Sequence, residues 1–168
     1  MNNYEKNSYV KTQISETLIQ LMKDTDIDQI DIRSLCNEAG VGRASFYRNY
    51  SSKEEVISEH ASSLIQQWGH EFETNPDSSP FNVFGSLFEH FRKNKGFYTL
   101  LYKQNMSEII LETIKEKTGL VSSLSNKEAY EKAFFSYGLY GWICEWIKRG
   151  MKESADEINS LFIAAELK

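Results

Sequence analysis

Between Val41 and Lys53 the chain carries Arg43, Arg48 and Lys53, no acidic residue, rings at Phe46, Tyr47 and Tyr50, and several small hydroxyl or amide side chains. That set suits contact with a polyanion. Guanidinium and ammonium groups pair with phosphates, and an arginine can also pair bidentately with guanine in a major groove. The whole chain has a formal net charge of −5, so the residues outside this +3 stretch sum to −8. A basic island on an acidic chain meets a polyanion with one small surface and repels it elsewhere. Chance clustering of three charges is the plainer alternative.

No other residue set offers chemistry of comparable definition. The histidines, His60, His70 and His90, stand in amphipathic or polar helical settings, with no nucleophile elbow, HExxH or phosphate-binding glycine loop beside them, so no enzyme is expected. Cys36 and Cys144 are the only cysteines, more than a hundred positions apart and without metal-ligand spacing; both are expected to pack as small apolar residues. No metal and no cofactor is expected. The start MNNYEKNSYVK has no apolar core of a signal peptide, and no apolar run approaches the length of a membrane span, so a cytoplasmic protein that does not enter the membrane is expected.

The elements that must position the basic stretch read as helices throughout. Prolines occur only at Pro76 and Pro80, and strand-like alternation is absent, which predicts an all-α fold. A first helix is expected over about 8–23, with Ile14, Leu18, Leu21 and Met22 on one face. Ile32, Leu35, Cys36 and Ala39 give a short second helix over about 31–39, and Gly40 supplies the corner. A third helix follows over about 42–49, with Phe46 turned back toward Leu35, Val41 and Ile57. Ser52 and Glu55 have capping-box spacing and open a long fourth helix with Ile57, Ala61, Leu64, Trp68 and Phe72 along one stripe. The polar run at 73–80 ends it. Further helices are expected over about 81–93, 97–102, 106–117 and 126–148, and a last one after the Ser154–Glu157 capping box. The pattern divides into a helix-turn-helix head, residues 1–55, and a helical body, residues 56–168.

Residues Ile32-Arg33, Leu35, Glu38 to Val41, Arg43, Phe46 to Arg48, Tyr50 and Ser52 to Glu55 stand in an order and spacing that resembles the tetracycline-repressor (TetR) family of bacterial transcriptional regulators. The resemblance covers roughly residues 8–57. It implies a three-helix DNA-binding head, an all-α regulatory body, homodimers on inverted-repeat operators and, in most members, an effector pocket in the body. Carried onto this chain, the DNA-contacting set is Arg33, Gly42, Arg43, Ala44, Ser45, Tyr47, Arg48, Asn49 and Lys53, with Arg43 reading a base and Tyr47, Arg48 and Lys53 meeting phosphates. Four positions depart from the family pattern. Asp31 stands where a phosphate-binding threonine is frequent, Gly42 where a serine or threonine is, Asn49 where a histidine is and Ser51 where a proline is. A carboxylate at Asp31 cannot donate to phosphate, and Gly42 predicts an altered base preference. The stretch GLYGWICEWIKRGMKE (138–153) is also similar to the C-terminal region of a branch of the family found in Gram-positive regulators.

In the body, two readings fit the aromatic stretch from Phe134 to Trp142. Gly138 and Gly141, three apart in a helix, either allow close packing of a neighbouring helix, such as that of a symmetry mate, or leave room in a pocket lined by Phe88, Phe91, Tyr102, Tyr137 and Trp142. The first reading makes Gly138, Gly141, Ile158, Leu161, Phe162 and Ala165 candidate dimer contacts; the second favours an apolar or aromatic small-molecule effector. The function these residues predict is a homodimeric repressor on a double-stranded, palindromic DNA operator, released by an effector acting through the fourth helix. The alternative is a co-regulator of the same fold that works through its body without specific DNA binding.

Overall fold

The computed structural model describes residues 3–166, which form nine α-helices and one 3-10 turn, with no strand among the described residues. The helices are α1 (Asn3–Leu21), α2 (Ile32–Glu38), α3 (Arg43–Asn49), α4 (Lys53–Thr74), α5 (Val83–Lys93), α6 (Lys95–Lys103), α7 (Glu108–Thr118), α8 (Asn126–Lys148) and α9 (Ala155–Glu166); the 3-10 turn is Ile27–Gln29. The chain divides into two compact units, 1–62 and 63–168, and the division falls inside α4.

The first unit is built on one apolar cluster. Ile14 and Leu18 of α1, Met22 just past its end, Leu35 of α2, Phe46 of α3 and Val56 and Ile57 of α4 are all fully buried. Ile14, Leu18 and Met22 recur at four-residue intervals, which places them on one face of α1 and of the turn that continues it. Asp31 caps α2: its carboxylate accepts from the Ser34 amide at 3.0 Å. That hydrogen bond, with lesser help from the Ser34 hydroxyl, holds the Asp31 carboxyl below its ordinary range. The helix ends at Gly40, whose φ of 65° sits in the left-handed region. There the Val41 amide donates to the Cys36 carbonyl at 2.9 Å and the Gly40 amide to Asn37 at 3.2 Å. This two-bond closure needs a residue that tolerates positive φ, and it sets the corner between α2 and α3.

In the second unit α5 packs on α9, and α8 packs on both α6 and α7. Its core is aromatic. Phe88 meets Trp146 edge-on at 5.7 Å, and Phe91 lies 4.2 Å from Tyr98. Helix α8 runs over the predicted residues, and a capping box fixes its start: the Ser125 hydroxyl accepts from the Glu128 amide while the Glu128 carboxylate accepts from the Ser125 amide and hydroxyl. The same arrangement joins Ser154 and Glu157 at the start of α9. At the start of α4 the predicted box is shifted. The Glu55 amide donates to Ser52 Oγ, but the Glu55 carboxylate accepts from Ser51 N and Oγ, both at 2.6 Å.

Candidate functional site

Helix α3 spans seven residues and shows two opposite faces. Phe46 turns inward and is buried, its ring 5.9 Å from that of Tyr50, the buried residue that follows the helix. Arg43, Ala44, Tyr47 and Arg48 turn outward; Tyr47 is 52% exposed. At 100° per residue these four occupy one contiguous arc, a surface of two guanidinium groups and a phenol with no carboxylate on the helix. The Tyr47 ring rests edge-on against Phe46 at 5.4 Å, so the core sets the direction of an exposed side chain. Gly42 is the N-cap of α3 and offers no side-chain cap; a Cβ there would meet only Ser45 Oγ, at 3.9 Å. The family's hydroxyl would fit at this position, so its absence is a choice of residue and not a steric demand. Arg33 is exposed in the first turn of α2.

Two residues predicted to face DNA are engaged within the protein. The Asn49 amide donates to the Ser45 carbonyl at 2.8 Å, and both residues are half-buried. Lys53 is engaged more heavily. Its ammonium donates to the carbonyls of Ile27 and Ile30, the latter at 2.7 Å, and so ties the 3-10 turn to the start of α4. A second cluster, which has no signature in local sequence, joins α1 to α4. Lys11 pairs with Glu59 at 2.6 Å and lies over the Tyr50 ring at 5.3 Å. Burial, then the neighbouring Glu59, pushes the Tyr50 hydroxyl well above its usual range. Together these contacts clamp the elements on which α3 rests.

In the second unit the structure redistributes the residues predicted for a pocket. A cavity of about 170 Å³ lies among α4, α5, α6, α7 and α8, walled by Trp68, Phe84, Leu87, Phe91, Ile110 and Phe135 among others. Of the five predicted residues only Phe91 lines it. Phe88 is spent on Trp146, and the Trp142 ring stands edge-on to Phe162 at 5.5 Å. Tyr102 is half-buried away from the cavity, and Tyr137 is 54% exposed. The predicted dimer contacts also separate. Gly138, Gly141, Leu161 and Ala165 are exposed, and a Cβ on either glycine would meet nothing within 4 Å. Ile158 and Phe162 are buried in their own unit, Phe162 against Phe84 at 5.2 Å and Phe88 at 5.8 Å. The face of α8 that carries the glycines also carries Tyr130, 73% exposed, and Phe134, 86% exposed.

Among the described residues no group of three or more His, Cys, Asp or Glu side chains could hold a metal ion, and no helix is long and apolar enough to cross a membrane. The family model for bacterial regulatory proteins of the tetR family matches residues 14–59, and a tetR-type model for the C-terminal region of transcriptional regulators matches residues 78–164, half of the chain. The chain belongs to the TetR family. It is accordingly a DNA-binding transcriptional regulator. Two solved structures share the fold of this TetR-family chain. Lin0861 from Listeria innocua superposes with a TM-score of 0.81 at 18% identity, covering 99% of this chain and 93% of its own. A TetR transcriptional regulator from Streptococcus agalactiae 2603V gives 0.67 at 17% identity, covering 96% and 95%. No curated protein sequence matches the chain significantly.

Proposed function

We propose that this TetR-family chain is a homodimeric cytoplasmic repressor that binds a palindromic operator through two copies of α3 and leaves it when a small molecule occupies the body. The observation that carries the DNA half is the outward arc of Arg43, Ala44, Tyr47 and Arg48, held by Phe46 beneath it. In this reading Arg43 pairs with a base edge, while Tyr47, Arg48 and Arg33 meet phosphates. Two heads fixed about 34 Å apart, one turn of DNA, occupy successive major grooves. Support for the dimer comes from α8, where Tyr130, Phe134 and the bare Gly138 and Gly141 leave an apolar strip uncovered on one protomer.

Selection of bound fragments from a random DNA pool tests the operator. The expected product is an inverted repeat with half-sites about one helical turn apart, and Arg43→Ala relaxes the preference at one position per half-site by about 1–3 kcal/mol of discrimination. Recovery of no common motif would remove specific DNA reading by this arc. For the dimer, Phe134→Arg is expected to give monomers in sedimentation velocity and to weaken operator binding; a variant that stays dimeric moves the interface off α8.

A further inference from the structure

The cavity of the second unit has a wall whose uncharged polar groups are already hydrogen-bonded inside the protein. Trp68 Nε1 donates to Ser86 Oγ at 3.0 Å. The Tyr98 hydroxyl and His90 Nε2 share a hydrogen bond of 2.7 Å. Thr113 Oγ1 donates to the Ile109 carbonyl at 2.6 Å, and Thr118 Oγ1 lies 2.8 Å from Ser136 Oγ. None of these groups needs a ligand. The rest of the lining is aliphatic or aromatic, except for Lys117.

Among the described residues Lys117 is the one charged residue on the cavity wall and the one lining residue that is exposed. Its ammonium has no carboxylate partner among the described residues. It does not extend into solvent alone: Nζ folds back across α4 to 2.9 Å from the point where a Cβ on Gly69 would stand. Gly69 is buried in the interior of α4, a position where glycine weakens a helix. What a side chain there would meet is the flexible end of Lys117. A side chain at residue 69 would take the space that the cation occupies at the rim.

An apolar chamber with its internal polar groups satisfied and a single unspent cation at its solvent edge defines a ligand. We propose that the cavity binds a single-ring aromatic monocarboxylate, its ring among Phe84, Leu87, Phe91, Ile110 and Phe135 and its carboxylate on Lys117 Nζ. The size fits: about 170 Å³ compares with the roughly 150 Å³ of an apolar cavity that holds one benzene ring. Keeping the carboxylate at the rim avoids burying an anion, while the ring gains the burial. The charge-assisted hydrogen bond then distinguishes an acid from its neutral isostere. This inference rests on the reading of the body as an effector domain, and it adds the chemical class.

Titration calorimetry of the full chain with phenylacetate and with the neutral 2-phenylethanol tests it. Wild-type protein is expected to favour phenylacetate by about tenfold, the order of one charge-assisted hydrogen bond. Lys117→Met should bring the two probes level by weakening phenylacetate alone. Gly69→Ala, whose methyl displaces only the flexible end of Lys117, should erode the same preference while circular dichroism shows an intact helical protein. Equal affinity of wild-type protein for both probes, no heat from either at about 10 mM, or a preference that survives Lys117→Met would overturn the proposal. Operator binding separates this outcome from that of the effector reading. Phenylacetate that binds in the Lys117-dependent way yet leaves the protein on DNA upholds the ligand class and removes the effector role. Release of the operator by a different molecule, with phenylacetate inert, does the reverse.

Discussion

The ammonium of Lys53 is assigned opposite duties by sequence pattern and by structure, and one substitution decides between them. As a phosphate contact, Lys53 would release about one counterion per head on binding, so its loss from both heads of a dimer would reduce the slope of log affinity against log salt by about 1.8. In the structure the ammonium instead donates to the carbonyls of Ile27 and Ile30, residues whose side chains are buried. A hydrogen bond to a charged group contributes about 1.5–3 kcal/mol when buried. Lys53 is half-buried, and the Ile27 carbonyl keeps a second donor in the Ile30 amide, so the low end applies. Lys53→Met, which keeps the apolar stem and removes the donors, is therefore expected to cost about 2 kcal/mol, a fall in Tm of about 4–8 °C for a chain of this size. Thermal unfolding followed by circular dichroism measures that fall, and fluorescence anisotropy on a selected operator at several salt concentrations measures the slope. The expected pair of results is a lowered Tm with a slope changed by well under one half. An unchanged Tm with a slope reduced by about 1.8 would refute the structural assignment and restore the phosphate contact.

Two further substitutions test charges that the structure places in definite jobs. Asp31→Ala removes the cap of α2 and should lower the midpoint of denaturant unfolding, whereas Asp31→Thr keeps a capping oxygen, removes a carboxylate that repels phosphate, and should tighten operator binding at low salt without loss of Tm. His90 is buried against Trp68, Phe91 and Tyr98, and burial lowers its pKa to about 4, with Glu71 opposing and Lys93 assisting more weakly. The unfolded chain then binds the proton more readily than the folded one, so stability is full above the ordinary histidine pKa of about 6.5 and is lost as pH falls from there toward 4, by up to about 3 kcal/mol. His90→Gln should flatten that part of the unfolding profile; a profile with the same slope between pH 6.5 and 4 would assign the acid sensitivity to other groups.

The local features of this chain were legible because they are written in neighbouring residues. The helix-turn-helix order, the Gly40 corner and the full span of α8 from Asn126 to Lys148 all follow from periodicity, glycine placement and the polar run before residue 126. What could not be read depends on residues brought together from afar. Lys53 lies 23 and 26 positions from its carbonyl partners, and Lys11 lies 48 positions from Glu59. Nothing in either local pattern announces the pairing. The shift from Ser52 to Ser51 as the partner of the Glu55 carboxylate is a matter of side-chain rotation within one turn. The lining of the cavity is hidden from the sequence for another reason. Helix α8 is apolar around most of its circumference, so composition says that its aromatics avoid water without saying which of them meet the interior. Packing turns Leu139, Ile143 and Trp146 inward and leaves Phe134 and Tyr137 outside, and Phe162 spends its ring within its own unit. Gly69, a lone glycine in a helical stripe, carries no signal until its neighbour, Lys117, is known.

The corner at Gly40 separates two costs that usually come together. Its φ of 65° lies in the left-handed region, yet a Cβ built there would meet nothing within 4 Å. A replacement therefore meets backbone strain alone, about 1–2 kcal/mol for most residues and least for asparagine, whose short polar side chain tolerates that region. Gly40→Asn is expected to keep the corner, whereas a β-branched residue would press the chain toward negative φ and draw the Val41 amide away from the Cys36 carbonyl.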